Sequence, residues 1–335
     1  MKFGVLLPLS GPHGGVSEIL STALHAEELG FDSVWSYDLQ LSGGTAYRQH
    51  VVCGSIEDVD PSKPPVFYEP LTTLAYVAAK TTRIEIGTGV VILPLTNPFT
   101  VAKQAANLDV LSGGRFILGV GIGSKSPYSN MAFDSFNVPF KERGRIHDEY
   151  LRAIISLWRD PKTTTSGRFL TLREVELYPK PTRPKIWVAA RGGPGFRRVA
   201  EMGDGWFPAN FSPREIASGI AKIREERKKL GRGGDFEVAS MNYICVAKDK
   251  ESAIEESKAT LKPRVAGGSY GRAKALEDAY ERCFLGNTRE ISRQIESYAR
   301  AGVDHHVFTV LFRGSIQRMY DDMKLMARDV FPSFR

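Results

Sequence analysis

Leu108 to Gly123 reads LDVLSGGRFILGVGIG. The first residues continue a helix that begins at Pro98, and Ser112-Gly113-Gly114 ends it, because glycine adopts the conformations that a helix terminus requires. Arg115 to Val120 is a short apolar run, which is typical of a buried strand. A helix followed by a buried strand and a glycine cluster is one unit of an alternating α/β fold.

The same alternation continues along the chain. Strand-like runs are predicted at 3–9, 33–37, 84–91, 115–120, 185–190, 205–208, 236–246 and 303–310. Helices are predicted at 16–29, 69–80, 98–111, 142–158, from Pro194, 213–230, 250–261, 273–283, 288–301 and 316–330. This pattern predicts one α/β domain over residues 1–335, arranged as a closed (β/α)8 TIM barrel or as a doubly wound sheet.

Two insertions interrupt the alternation. Residues 40–68 form a long connection rich in Gly, Ser, Asp and Pro, which favours a lid or binding loop. Residues 161–184 are polar and rich in proline, and we expect a small hairpin there. Both insertions are expected at the carboxyl-terminal face of the sheet.

Composition excludes several classes of protein. The chain has 335 residues, of which 42% are hydrophobic and 25% charged, as in ordinary globular proteins. No apolar run reaches the roughly 18 residues of a membrane span, and three cysteines are too few for a disulfide framework, so we expect a cytoplasmic protein. The net charge of +7 is spread along the chain, which argues against nucleic-acid binding.

Glycine follows several of the predicted strands directly. The clusters are Gly87-Thr88-Gly89-Val90-Val91, Gly119-Val120-Gly121-Ile122-Gly123 and Ala190-Arg191-Gly192-Gly193. Ligands of parallel α/β proteins bind at the carboxyl ends of the strands, and glycine there leaves room for a flat ring. The same glycines are also explained by tight strand-to-helix turns alone.

The third cluster also has the form of an anion site. A strand leads into Arg191-Gly192-Gly193, and Pro194 opens a helix whose first N–H groups are free to bind a phosphate. Phe196 follows within this turn, and Arg197 and Arg198 either add charge or are merely solvated. The second cluster does not fit a dinucleotide fingerprint, because its third glycine has the wrong spacing.

Candidates for proton transfer lie in the same region. Asp38 follows the second strand, where its carboxylate would either meet a ring edge and relay a proton or cap a helix or loop. Tyr37, His50 and Tyr128 are further candidate proton donors. His305 and His306 begin the last strand at its far end, and no residue spacing predicts a metal site.

Several segments together resemble the luciferase-like flavin and deazaflavin oxidoreductases. They are Gly30 to Trp35, Thr96 to Phe99, Leu108 to Gly121 and Met202 to Trp206. The resemblance extends from Phe3 to Pro332 and implies a TIM barrel that is usually dimeric, with an isoalloxazine-like ring in its mouth.

By position, the resemblance implies coenzyme contacts from Asp38, Gly89, Val90, Val91, Gly121, Ile122, Gly123, Ala190, Arg191, Gly192, Gly193 and Phe196. It also implies a non-prolyl cis peptide within Gly89-Val90-Val91. The short chain and the second glycine cluster look most like the branch that uses coenzyme F420 for hydride transfer with a small organic substrate.

Two positions depart from the sugar-phosphate dehydrogenases of this branch. Those relatives have His after the aspartate and Glu after the fourth-strand glycines, whereas this chain has Leu39 and Ser124. Their substrate and mechanism therefore do not carry over. An FMN-dependent monooxygenase with a reductase partner and a non-catalytic flavin-binding protein remain as alternative predictions.

Overall fold

The computed structural model describes residues 1–10, 14–41, 66–266, 270, 273–310 and 315–335. The strands are β1 (Lys2–Leu6), β2 (Ser33–Ser36), β3 (Glu85–Thr88), β4 (Val91–Ile92), β5 (Phe116–Gly121), β6 (Thr163–Ser166), β7 (Thr171–Val175), β8 (Lys185–Val188), β9 (Gly205–Trp206), β10 (Glu237–Val246), β11 (Phe284–Gly286) and β12 (His305–Val310). The α-helices are α1 (Val16–Glu28), α2 (Pro70–Ala78), α3 (Pro98–Leu111), α4 (Pro127–Ser135), α5 (Arg143–Arg159), α6 (Gly193–Met202), α7 (Pro213–Lys229), α8 (Lys250–Ala266), α9 (Leu276–Tyr280), α10 (Thr288–Arg300) and α11 (Ile316–Leu325).

Eight parallel strands close into a ring. The order is β1, β2, β3, β5, β8, β9, β10 and β12, and β12 pairs again with β1. The predicted (β/α)8 barrel is confirmed, and the doubly wound sheet is excluded because that sheet has free edges. The short strand β4 pairs with β5, and β11 pairs in parallel with the last residues of β10.

Local sequence determines where the elements begin and end. The Asn97 side chain caps α3 by accepting hydrogen bonds from the N–H groups of Phe99 and Thr100. The same helix ends at Gly113 and Gly114, whose φ values of 72° and 80° disfavour other residues. All of β5 is buried, because helices cover one of its faces and the barrel interior the other.

The lower interior of the barrel is filled by the protein's own side chains. At the base, Lys2 pairs with Glu85 at 2.8 Å and Lys185 pairs with Glu237 at 2.7 Å. Above them lie two aromatic side chains, Trp35 and Trp187, stacked with their ring centres 5.0 Å apart.

Two glycines make room for these indole rings. A Cβ on Gly87 would lie 2.4 Å from a Trp35 ring carbon, and one on Gly205 would lie 2.4 Å from Trp187. The interpretation that glycine leaves room for a ligand is therefore wrong for Gly87, because the Trp35 ring fills the space beside it.

The hairpin predicted at 161–184 is confirmed as β6 and β7, but its predicted place over the barrel mouth is wrong. Glu149 of α5 accepts hydrogen bonds from the N–H groups of Phe169 and Leu170 at the hairpin's turn, and Arg168 lies 3.7 Å from Glu142. The hairpin therefore lies along the outer face of α5, where the Glu149 carboxylate accepts the hydrogen bonds of the turn's N–H groups.

Two helix predictions also need correction. No helix was predicted between Gly123 and residue 142, whereas α4 begins at Pro127, capped by the Ser126 hydroxyl. The helix predicted over 273–283 is limited to α9, and the strand β11 follows it. Of the long insertion at 40–68, residues 42–65 lie outside the described part of the chain. Within the described ranges, no helix is both long and apolar enough to cross a bilayer.

Candidate functional site

An apolar surface closes the barrel interior just below its mouth. Leu6, Val90 and Met241 are half-buried and pack on the cluster that contains Trp35, Trp187 and Phe207. We call these three residues the apolar platform. Gly89 adjoins it, and a Cβ there would lie 3.1 Å from the Phe207 ring. A flat, uncharged ring fits such a surface by contact and by release of water.

The platform depends on an irregularity between β3 and β4. The Gly89–Val90 peptide bond is cis, which confirms the expected non-prolyl cis peptide. The Thr88 hydroxyl accepts a hydrogen bond from the Gly119 N–H and donates one to the Gly119 carbonyl, both at 2.8 Å. These two bonds fix the irregular segment to β5.

Glycines of the second cluster accommodate that segment. A Cβ on Gly119 would lie 1.8 Å from the Thr88 carbonyl oxygen, and a Cβ on Gly121 would lie 2.7 Å from a Val90 methyl. Gly123 has φ = 77°, so its turn also disfavours side chains. The packing explanation therefore accounts for all three glycines without a ligand. Ile122 between them is half-buried.

Asp38 lies beside this irregular segment and is only 5% exposed. Its carboxylate accepts hydrogen bonds from the Ile92 N–H at 2.9 Å and from the Gln40 side-chain amide at 2.7 and 2.8 Å. Burial raises the pKa of Asp38 to about 6, although these hydrogen bonds oppose the shift. The carboxyl group therefore fixes the backbone behind Val90 and changes its charge close to neutral pH.

Tyr37 follows β2 at the mouth, next to the carboxyl ends of β1 and β12. Its hydroxyl is 3.4 Å from the Ser10 hydroxyl, and the two residues line a cavity of about 10 Å³ together with Leu6 and Thr309. Such a cavity holds about one water molecule. Tyr37 thus places a half-buried side chain close to Leu6 of the apolar platform.

The other proton-donor candidates stand differently. The Tyr128 hydroxyl donates to the Leu41 carbonyl and accepts from the Leu41 N–H, and burial raises the pKa of Tyr128 to about 12. These contacts favour a structural role for Tyr128, and its role as a proton donor stays a prediction. Leu39 is apolar and lies buried near Tyr128, and Ser124 is an exposed residue with only a hydroxyl group. Neither side chain can therefore replace the missing His or Glu as an acid or a base. His50 lies outside the described residues.

The glycine turn and the helix start predicted after the strand at 185–190 are present. Gly192 caps α6 without a side-chain hydrogen bond, no acidic residue lies in the first turn, and Pro194 stands near the helix start. A Cβ on Gly192 or Gly193 would meet nothing within 4 Å. Arg191 is exposed, and its Nη2 donates to the Ala209 carbonyl at 3.3 Å. Open N–H groups beside a guanidinium favour a phosphate.

Other residues of this turn support it from below. Phe196 is 6% exposed and packs edge-on against Trp206, whose indole N–H donates to the Ala190 carbonyl at 3.0 Å. Arg198 is buried and pairs with Asp148. The expectation that Arg198 adds charge for a ligand is therefore wrong, because Asp148 already neutralises it.

The site thus combines the apolar platform with an open, positively charged turn. These two features fit a coenzyme that has a planar ring and a phosphate. Among the described residues, no three His, Cys, Asp or Glu side chains group at metal-binding distances.

Comparisons with known proteins identify the family. The sequence model for luciferase-like monooxygenases matches residues 1–305. The chain belongs to this luciferase-like family. This match confirms the prediction that the chain is an enzyme of the oxidoreductase or monooxygenase class.

Curated relatives of the luciferase-like chain include F420-dependent enzymes. It is 27% identical to an F420-dependent glucose-6-phosphate dehydrogenase of Kineococcus radiotolerans, over 85% of each chain. It is also 27% identical to a 5,10-methylenetetrahydromethanopterin reductase of Methanolobus tindarius, over 78% of this chain and 70% of the relative. These relatives favour a deazaflavin or flavin coenzyme.

Solved structures share the fold. An F420-dependent secondary alcohol dehydrogenase in complex with an F420-acetone adduct has a TM-score of 0.78 at 19% identity, over 100% of this chain and 99% of that one. The oxygenating constituent of 3,6-diketocamphane monooxygenase from Pseudomonas putida, in complex with FMN, has a TM-score of 0.71 at 15% identity, with the same coverage. At such identities the likeness shows the barrel alone.

Sequence reasoning missed several residues of the site. Leu6 and Met241 were not predicted to form its floor, and Ser10 was not recognised as the neighbour of the Tyr37 hydroxyl. Alternation along β10 would have identified Met241, because Ala239 and Met241 occupy the same face of the strand.

Proposed function

We propose that this chain is an F420-dependent oxidoreductase that transfers a hydride between the deazaflavin coenzyme and a small organic substrate. The alignment with an F420-dependent dehydrogenase over 85% of both chains carries the proposal. The apolar platform and the open turn at Gly192-Gly193 support it, because they suit the ring and the phosphate of such a coenzyme.

When bound, the coenzyme would supply the hydride chemistry. The chain's own residues have four tasks. The platform supports one face of the ring, and the N–H groups near Gly193 together with Arg191 hold the phosphate. Asp38 keeps Val90 in place through its hydrogen bond to the Ile92 N–H. The Tyr37 hydroxyl holds the proton that accompanies hydride transfer.

The mouth also limits the proposed substrate. Leu39 and Ser124 stand where the sugar-phosphate dehydrogenases have His and Glu, so the described residues provide neither of those acid-base groups. We therefore propose a substrate other than a sugar phosphate. The proton donor at Tyr37 suits a carbonyl, alcohol or activated double bond.

An FMN-dependent monooxygenase is the second candidate function. The match to the luciferase-like monooxygenase family favours it, and it would require a reductase partner to supply reduced flavin. Titration of the purified protein with F420 and with FMN, followed by coenzyme fluorescence, separates the two candidates. Saturable F420 binding that FMN does not displace supports the proposal, and tight FMN binding without F420 affinity contradicts it.

Turnover separates an enzyme from a non-catalytic flavin-binding protein. Reduced F420 is mixed with a panel of ketones, aldehydes and enones, and its reoxidation is followed by absorbance under anaerobic conditions. Oxidation with at least one panel member supports the proposed activity. Tight binding without turnover on any member supports the non-catalytic alternative.

We further propose that residues 1–335 act as one domain that forms a homodimer in the cytoplasm. The adjacent helices α2 and α3 expose Tyr76, Phe99, Val110 and Leu111, and the Leu111 side chain is 79% exposed. Apolar side chains on neighbouring helices favour association with a second copy of the chain. Sedimentation equilibrium gives the molecular mass that tests this assembly.

A further inference from the structure

An open cleft lies at the base of the barrel, at the end opposite the mouth. It occurs where α7 ends and a glycine-rich loop leads to the start of β10. Its volume of about 430 Å³ is within the range of small-molecule sites, roughly 300–1,000 Å³. We call it the basal cleft. It is lined by Arg224, Arg227, Lys228, Gly231, Arg232, Gly233 and Gly234.

Positive charge dominates the lining. Arg224, Arg227 and Lys228 lie three and four positions apart and therefore share one face of α7, and Arg232 joins them from the loop. Asp204 and Asp235 are the acidic groups whose charges act on Arg227. Four cations therefore face two carboxylates around the basal cleft.

Two acidic residues of α7 near this face are already paired. Lys229 pairs with Glu225 at 2.7 Å and with Glu226 at 2.9 Å, so these two acids are satisfied by a cation outside the basal cleft. Arg224 and Lys228 are exposed, and neither forms an ion pair with any described residue. Their charges are available to a ligand.

Arg227 provides an independent observation. It is 7% exposed, and its Nη2 donates to the Gly233 carbonyl at 3.3 Å. Its Nε is buried and has no acceptor among the described residues. Burial and the neighbouring Arg232 both hold the pKa of Arg227 below its ordinary value. A bound anion would offset this unfavourable environment.

Cations near the carboxyl end of a helix also stabilise its dipole, and Arg232 has this role at the end of α6. Arg232 Nη1 donates to the carbonyl of Ala200 at 3.1 Å and to that of Glu201, at the end of α6. Arg224 and Lys228 form no hydrogen bond to a carbonyl within the described ranges. Capping therefore does not account for the whole cluster.

The loop leaves space beside these cations. A Cβ on Gly231, Gly233 or Gly234 would meet nothing within 4 Å. The glycines therefore let a ligand approach the backbone while the guanidinium groups contact its charged part. Guanidinium groups bind phosphate through paired, charge-assisted hydrogen bonds.

We propose that the basal cleft binds a small phosphate ester of about mononucleotide size, at a site separate from the mouth. The phosphate lies between Arg224, Arg227 and Lys228, and the rest of the molecule lies along the glycine loop. This inference does not depend on the proposed redox function, because it uses none of the residues at the mouth.

Calorimetric titration of the whole protein tests the proposal, with AMP, pyrophosphate and inorganic phosphate as probes. The Arg224→Gln/Lys228→Gln variant removes two exposed charges from the basal cleft. The Arg214→Gln/Lys222→Gln variant removes two exposed charges from α7 outside it and is the matched control. The Arg191→Gln variant reports on phosphate binding at the mouth.

The proposal predicts one saturable AMP site that weakens about tenfold or more in the cleft variant and less than about twofold in the control and in Arg191→Gln. It also predicts that AMP binds more tightly than inorganic phosphate. Absence of saturable AMP binding overturns the proposal. So does equal weakening in both double variants, loss of binding only in Arg191→Gln, or inorganic phosphate binding as tight as that of AMP.

Discussion

An alanine at Gly87 is predicted to lower stability, whereas an alanine at Gly192 is predicted to lower coenzyme affinity. A methyl group on Gly87 would lie 2.4 to 2.7 Å from three ring carbons of Trp35. Trp35 is fully buried and stacked on Trp187, so it cannot move aside without disturbing the interior. Overpacking of this kind lowers the free energy of unfolding by about 1 to 3 kcal/mol.

A methyl group on Gly192 meets no atom within 4 Å, and its φ of −167° is extended backbone that any residue adopts. The free energy of unfolding should therefore change by less than about 0.5 kcal/mol. In the proposed complex, the methyl group would take up space that the phosphate needs beside the Gly193 N–H. Coenzyme affinity should fall about tenfold, as expected when a hydrogen bond to a charged phosphate is lost.

Urea unfolding followed by circular dichroism measures the stability of each variant, and fluorescence titration measures coenzyme affinity. Gly87→Ala should be less stable with affinity within about twofold of wild type, since overpacking lies below the platform. A Gly87→Ala protein as stable as wild type would refute the packing argument. Unchanged affinity in Gly192→Ala would refute the phosphate site.

Three further predictions concern the pH response, the proton donor and the assembly. Because the pKa of Asp38 is raised to about 6 in the folded protein, folding takes up a proton. The unfolding free energy of wild type relative to Asp38→Asn should therefore fall by up to about 3 kcal/mol as pH rises from about 3 to about 7. A constant difference in urea titrations across that range contradicts this. Tyr37→Phe should lower kcat about 100-fold or more. Tyr128→Phe should leave kcat within about twofold and lower the free energy of unfolding by about 1 to 2 kcal/mol. If the two variants have the same kcat in steady-state assays, the roles assigned to these tyrosines are excluded. Leu111→Glu should shift the sedimentation equilibrium from dimer towards monomer, and an unchanged mass would place the interface elsewhere.

The element order was predictable because its causes are local. Asn97 caps α3, Gly113 and Gly114 end it, and Pro194 marks the start of α6, and each of these effects needs only neighbouring residues. Ring closure was not predictable from alternation, because both kinds of sheet contain the same units. It depends on the pairing of β9 with β10 and of β12 with β1, which are long-range contacts.

The roles of the glycines were less predictable than their positions. Gly87, Gly119 and Gly192 all follow or lie near strand ends, yet the first faces Trp35, the second faces the Thr88 carbonyl and the third faces open space. Which atoms occupy the space beside a glycine depends on residues that are distant in sequence and adjacent in the fold. Sequence alone therefore located the mouth but could not separate packing glycines from those open to a ligand.

A crystal structure of the protein with F420 would show where the coenzyme binds. We expect the ring to lie on Leu6, Val90 and Met241, with a phosphate oxygen about 3 Å from the N–H of Gly193. A ring bound away from these three residues, or a phosphate that leaves the Gly192-Gly193 turn empty, would contradict it.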